Sequence, residues 1–396
     1  YHLASMALPP HDAAPEKLSA YESTSLFLNT ARRMGLEHIE EANLRTIADI
    51  CRLVEGSPLG IELAASTTRS HTLQEIKLQI HNNLGSLTAS ARDLPERHRS
   101  LRATFEHSWQ LLDSTAKESL QRLSIFRGGF NPEIACSLTG SERETLDNLL
   151  ASSLLARKDN RFIFHPLVQE FAREKLRHDP AEERDLLFEF AALYADILEE
   201  NSNGLLRPGL VQILPQLRPE ENNISAAWEW MLSNGKEELI NRAIHGLFRL
   251  YKRQSQFQEG FSAFSPRGKL PNSVSKETEG WLHMYRGVFA SKLGDTGKAA
   301  TAYSSAEKCF QDVDAVTPLA ACRTRQARVA IDRGQYEHAV ELCEMALPVF
   351  QETDDHWWMA MNKFLAGDAL YRSGKITLAR STLEDSLSHA RQSGDP

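Results

Sequence analysis

The chain has 396 residues, a formal net charge of −8 and a sequence pI of about 6.0. At roughly 150 residues per domain this is enough for two or three domains with cores of their own, and nothing in the global charge attracts nucleic acid or an anionic membrane. Five scattered cysteines (Cys51, Cys136, Cys309, Cys322 and Cys343) without any C-x-x-C spacing argue against a disulfide framework or a zinc site, and fit a reducing cytoplasm.

No run approaches the ~20 apolar residues of a membrane span, and the N-terminus lacks the basic-then-apolar layout of a signal peptide. Residue 1 is Tyr, and YHLASMALPP reads as the exit from an element of something larger, so an excised fragment is expected. Four helices are predicted over residues 17 to 84. The first runs from about Ala20 to Met34 with Gly35 as its stop, and the second from Glu41 to Val54, ended by Gly56. Ser57 then caps a third with Pro58 at its first position, and Thr72 with Glu75 forms the capping box of a fourth.

A polar link, SLTASARDLPERHRS, precedes four further helices and a hairpin. Ser100 is expected to cap Leu101 to Leu112, whose inward face would be Leu101, Phe105, Trp109 and Leu112. A second helix spans Thr115 to about Ile125 and is broken at Gly128 and Gly129. Asn131 with Pro132 opens a third, and Ser141 with Glu144 is a capping box for the fourth. Leu154 to Lys158 and Arg161 to Phe164 are short strands joined by Asp159 and Asn160, residues that tolerate the positive φ of a tight hairpin. His165 sits where the second strand hands over to a helix opened by Pro166 and carried by Leu167, Val168, Phe171, Ala172 and Leu176. Helices followed by a two-stranded wing make a winged-helix domain.

CRLVEGSPLGIELAAS, LPERHRSLRATFEHSWQLL, LSIFRGGF and SSLLARKDNRFIFHPLVQEFA resemble the lid, linker and winged-helix segments of STAND-class signalling ATPases, notably bacterial regulators fused to helical repeats. The likeness covers about residues 1 to 250. It extends to NB-ARC-type apoptotic and plant-resistance ATPases, in which a G-x-P motif lies beside the adenine and a winged-helix histidine reaches the β-phosphate. The resemblance thereby implies nucleotide contacts for Gly56, Pro58 and His165. The usual Met-His-Asp order is replaced by Phe164, His165 and Pro166.

No G-x-x-x-x-G-K-[ST] loop occurs: Gly297-Lys298 and Gly374-Lys375 are followed by Ala299 and Ile376, with Lys292 and Ala369 where the first glycine should stand. Without that loop no nest of N–H groups cradles phosphates, and no acidic cluster after an apolar strand holds magnesium. The chain is therefore expected not to be an enzyme and to have no catalytic residues, resident metal or cofactor of its own. ADP or ATP would belong to an intact parent protein.

Glu182 to Glu199 is amphipathic. Pro208, Gly209, Pro215 and Pro219 then interrupt the chain before helices at Glu221 to Leu232 and Glu237 to Tyr251. LGDTGKAATAYSSA, RGQYEHAVELCEMA and SGKITLARSTLEDS align with Gly294, Gly334 and Gly374 at a period of 40 residues, and with Ala299, Ala339 and Ala379 at the same step. SQFQEGFSAF matches more loosely, with Phe257 and Gly260 in the places of Tyr336 and Ala339. Each unit is helix, glycine turn, helix, similar to tetratricopeptide repeats with helices longer than their ~34-residue period allows. Trp357, Trp358, Met361, Phe364 and Leu365 form a wide apolar belt. Phe364 and Leu365 are expected to pack inward against Tyr336 and Leu342, leaving one tryptophan for a partner or for a further repeat beyond Pro396.

The fold expected is mainly α, in four parts: a helical lid over residues 1–90, a winged helix over 91–178, a helical connector over 179–252 and an α-solenoid of tetratricopeptide-like repeats over 253–396. The function expected is that of the regulatory and sensor half of a nucleotide-switched signalling ATPase or transcriptional regulator. An inducer or partner protein would bind the repeats, and the intact protein would self-assemble. The rival is a scaffold whose winged helix binds DNA. Against it, residues 141 to 151 carry Glu142, Glu144 and Asp147 but only Arg143, and the basic run Arg92, Arg97, Arg99 and Arg102 is diluted by Asp93 and Glu96.

Overall fold

The computed structural model describes residues 6–11, 13–36, 41–85, 96–202, 214–266, 268 and 270–393. It divides into two compact units, Tyr1–Leu186 and Leu187–Pro396. No described helix is long and apolar enough to cross a membrane.

The first unit opens with α1 (Pro15–Leu18), α2 (Glu22–Arg33), α3 (Glu41–Leu53), α4 (Pro58–Ser66) and α5 (Leu73–Gly85), within two residues of the expected ends for the four longer helices. Their apolar stripes meet in one core of Phe27, Ala31, Ile47, Ile50, Cys51, Val54, Ile61, Ala64, Ile76 and Ile80, all fully buried. Burying each larger side chain contributes roughly 1.5–3 kcal/mol. The capping box of α5 is present in both directions, with Thr72 N–H donating to Glu75 at 2.8 Å and Glu75 N–H to Thr72 Oγ1 at 3.3 Å.

The next helices are α6 (Glu96–Leu111), α7 (Ser114–Leu123), α8 (Pro132–Thr139) and α9 (Arg143–Ala151), then β1 (Ala156–Lys158), β2 (Arg161–Ile163) and α10 (Pro166–Leu176). Two caps differ from expectation. Helix α6 begins at Glu96, so Ser100 is inside it, and Ala103, Thr104, Phe105, His107 and Ser108 are all buried because the helix packs on both α4 and α5 on one side and α10 on the other. Ser141 does not cap α9: its hydroxyl is bonded to Ser119 and the N-cap position falls to Glu142, which makes no side-chain cap. The side chain of Leu101, the polar link at 86–95 and Arg92, and the side chains of Arg97 and Arg99 lie outside the described residues. Arg102 is engaged internally, 2.7 Å from Glu174.

Asp159 and Asn160 both adopt positive φ (49° and 64°), the hairpin turn anticipated, and Arg157 pairs with Phe162 across the ladder. A third short segment joins this hairpin, since Phe130 and Phe162 exchange backbone hydrogen bonds at 2.9 and 3.0 Å. Beneath it the rings of Phe126, Phe130, Phe162 and Phe164 pack at 4.8 to 6.1 Å. The order of helices, then hairpin, then helix is the one the sequence implied.

Helix α11 (Pro180–Ser202) leads into the second unit, which continues with α12 (Leu214–Leu217), α13 (Glu221–Ser233), α14 (Glu237–Arg253), α15 (Phe257–Ala263), α16 (Lys276–Lys292), α17 (Thr296–Gln311), α18 (Val316–Asp332), α19 (Tyr336–Glu352), α20 (His356–Arg372) and α21 (Ile376–Ser393). Pro208 and Gly209 lie outside the described residues. The repeat is real and mainly α: Gly294, Gly334 and Gly374 all turn at φ 75 to 83°, and Ala299, Ala339 and Ala379 are buried against the partner helix. The turns between repeats follow the same 40-residue step through Asp314 and Asp354, each at φ 52°. Leu365 is buried in the core formed with Ala339 and Leu342, but Phe364 is 46% exposed, against expectation. Adjacent residues on a helix point about 100° apart, and Leu365 takes the inward direction. Both tryptophans are half-buried: Trp358 stacks on Phe350 at 5.4 Å with the Arg325 guanidinium 5.3 Å over its ring, and Trp357 meets Trp358 edge-on at 4.8 Å.

Candidate functional site

Gly56 closes α3 in the left-handed region (φ 67°), its N–H reaching back to Cys51 O at 3.0 Å. Its carbonyl accepts from Met6 N–H at 2.9 Å, and a Cβ placed on it would lie 2.7 Å from Met6 O. Only glycine permits both the turn and this approach. Ser57, buried, accepts from Gly60 N–H at 3.4 Å, and half-buried Pro58 takes the first position of α4. Gly56 and Pro58 thus orient one helix N-terminus against the segment Met6 to Leu8.

His165 is the N-cap of α10, its Nδ1 accepting from Leu167 N–H at 3.3 Å. That bond leaves the neutral ring's proton on Nε2. The residue is exposed overall, although partial desolvation of the ring lowers its pKa. Among the described residues no hydrogen bond or ring contact joins His165 to the Gly56–Pro58 turn.

Two cavities are lined by other residues. One, about 520 Å³, lies between α3 and α5 and is bordered by His11, Asp49, Arg52, Gln74, Lys77 and His81. Burial tends to raise the Asp49 carboxyl, but hydrogen bonds from Lys77 and Arg52 outweigh it and hold the pKa below its usual value. Arg52 also donates to Pro9 O at 2.7 Å, tying the N-terminal segment to this rim. The other cavity, about 850 Å³, is in the second unit, where Trp228, Tyr251 and Phe261 meet Glu221, Glu229 and Glu259. Neither cavity was signalled by a motif, because its walls come from helices whose residues have no fixed spacing. Gly56, Pro58 and His165 line neither of them.

No family model matches the chain. It is 25% identical over 408 aligned residues, 94% of its length, to proteins of Mycobacterium bovis and Mycobacterium tuberculosis named putative HTH-type transcriptional regulators. It spans less than half of those relatives, 44% of their length. An uncharacterized protein of Mycobacterium tuberculosis is 29% identical over 124 residues, 31% of this chain and 32% of that one. Among solved structures, a Signal Transduction ATPase with Numerous Domains (STAND) protein with a tetratricopeptide repeat sensor from Pyrococcus horikoshii matches 97% of this chain and 70% of its own, at 15% identity and a TM-score of 0.28. At that score the superposition supports no residue correspondence. The chain is thus similar along nearly all its length to proteins named as regulators, as the motif series implied.

Proposed function

We propose that the chain is the regulatory and sensor portion of a nucleotide-switched signal-transduction protein of the STAND type, working in transcription regulation. The observation that carries this reading is continuity: five helices, then helices with a β-hairpin, then 40-residue repeats follow one another in one chain, and relatives named as regulators align across 94% of it. In this reading residues 96–176 act as the winged helix of the switch. His165 would offer its Nε2–H to a phosphate oxygen of ADP held by a core outside this chain, while Gly56 and Pro58 aim α4 at the base.

The bound nucleotide would supply the difference between a closed and an open state, and the chain's own residues would only read it. An inducer small enough for the cavity at Trp228 and Tyr251, or a partner protein on the repeats, would shift that balance through its preference for one state. Self-assembly of the open form would follow. The test is ADP retention in a longer protein that joins this chain to its nucleotide-binding core. His165→Ala should speed ADP release and raise basal signalling; an unchanged ADP off-rate would refute the role given to His165.

A further inference from the structure

Helices α16 and α17 bring together three side chains of different chemistry. Glu279 and His283 stand four residues apart on α16, so they share one face, and Cys309 comes from the last turns of α17. One ligand atom from each lies within 4.8 Å of the other two, and His283 Nε2 is 3.8 Å from Glu279 Oε1. Tetrahedral coordination by such atoms needs separations of about 3.4–3.6 Å, which small side-chain rotations supply.

The two backbones are held close at this level. A Cβ on Gly280 would lie 2.6 Å from the Phe310 ring, so Phe310 fills the space that a side chain beside Glu279 would take, and Trp281 packs edge-on against Phe310 at 5.7 Å. The residues next to two of the ligands therefore lock the helix register. Lys276 bonds the other oxygen of Glu279, Oε2, at 2.6 Å, fixing the carboxylate plane and leaving Oε1 toward His283. The glutamate and histidine side chains remain 30% and 25% exposed, so an ion can enter from solvent.

We propose that Glu279, His283 and Cys309 bind one zinc ion, with water in the fourth position. The donor set decides the metal: thiolate and imidazole with one carboxylate suit a borderline ion, whereas calcium and magnesium require oxygen throughout. Binding displaces the thiol proton of Cys309, which the metal's charge drives off. The bound ion would clamp α16 to α17 at one end of their hairpin. This site stands apart from the nucleotide reading and does not depend on it.

The whole chain, stripped with a chelator, would be titrated with Co²⁺ and followed by absorption. One equivalent with a thiolate-to-cobalt charge-transfer band is expected, displaced by Zn²⁺. Cys309→Ser should abolish that band, and His283→Gln, a change at a partly exposed position that leaves the fold intact, should weaken binding about tenfold or more. Zn²⁺ should raise the Tm of the wild-type chain and not that of Cys309→Ser. Absence of the band, an unaltered band in Cys309→Ser, or unchanged affinity in His283→Gln would each overturn the proposal.

Discussion

The amide of Asn362 on α20 donates to the hydroxyl of Thr324 on α18 at 3.0 Å, and both side chains are buried to within 1% of complete. Thr324 in turn donates to Ala320 O at 3.1 Å, so the hydroxyl acts once as acceptor and once as donor. The pair ties corresponding helices of neighbouring repeats with a directional bond, set in a core that is otherwise mostly apolar. Thr324→Val should cost roughly 1–3 kcal/mol, because it strands the Asn362 amide away from water. Asn362→Leu in the Thr324→Val background should recover part of that loss. Urea unfolding of the two single variants and the double variant measures the coupling, and simple additivity would mean that the bond contributes nothing.

His107 on α6 is fully buried, and among the described residues neither of its ring nitrogens has a hydrogen-bond partner. Desolvation, then the nearby His71, pushes its pKa down to about 4 from an ordinary 6.5. The unfolded chain takes up a proton below about 6.5 and the folded chain does not until about 4. The neutral ring's contribution to stability is therefore complete above 6.5 and is lost as the pH falls toward 4, a change of roughly 3 kcal/mol. His107→Leu should flatten the urea midpoint across that window. An equally steep profile in the variant would assign the acid sensitivity elsewhere, His245 being the other histidine held down to about 4.

Asparagine at position 165 would separate two roles that His165→Ala confounds. The histidine now caps α10 through Nδ1, and losing an N-cap costs about 1 kcal/mol. His165→Asn keeps a cap acceptor but places no donor where Nε2 stands. It should leave Tm nearly unchanged while still speeding ADP release in the longer protein. Loss of stability with normal ADP retention would assign His165 to the helix alone.

Elements that depend on one residue's backbone preference were legible in the sequence. The turns at Gly294, Gly334 and Gly374, the Asp159–Asn160 hairpin and the Thr72–Glu75 box each follow from a local rule that tertiary packing did not oppose. The Ser141 cap failed because a better-placed partner, Ser119, took its hydroxyl. The inward direction given to Phe364 failed because a belt of adjacent apolar residues does not state which of two neighbours faces the core. The cysteine spacing spoke against a zinc site, yet Cys309 meets Glu279 and His283 only through the pairing of two helices, about which spacing along the chain is silent.

Duplex DNA should not bind this chain. Helix α9, which precedes the wing, exposes Glu144 and Asp147 beside Arg143, and Glu142 adds a further negative charge at its start. Phosphate contacts require cations that release counterions, and this helix would repel the backbone instead. A gel shift at low salt should show no complex. Salt-sensitive binding would favour the scaffold reading, with Arg157, Lys158 and Arg161 of the wing as the first residues to neutralise.

Gly260 on α15 occupies the place that alanine holds in the repeats at Ala299, Ala339 and Ala379, and its neighbour explains the difference. A Cβ there would lie 2.6 Å from Cζ of Phe289, a fully buried ring packed 5.5 Å from Phe248 and 5.8 Å from Phe264. Replacing glycine by alanine in a helix contributes about 1 kcal/mol in its favour, but forcing a methyl into a filled core costs about 1–3 kcal/mol. Packing should win, because the ring is enclosed and cannot swing away. Gly260→Ala alone should lower stability by about 1 kcal/mol, whereas in a Phe289→Leu background, where the ring is gone, the same change should raise it by a similar amount. Tryptophan fluorescence during urea unfolding follows this unit through Trp228, Trp230, Trp281, Trp357 and Trp358. The same sign in both backgrounds would mean that the ring is not what keeps residue 260 a glycine.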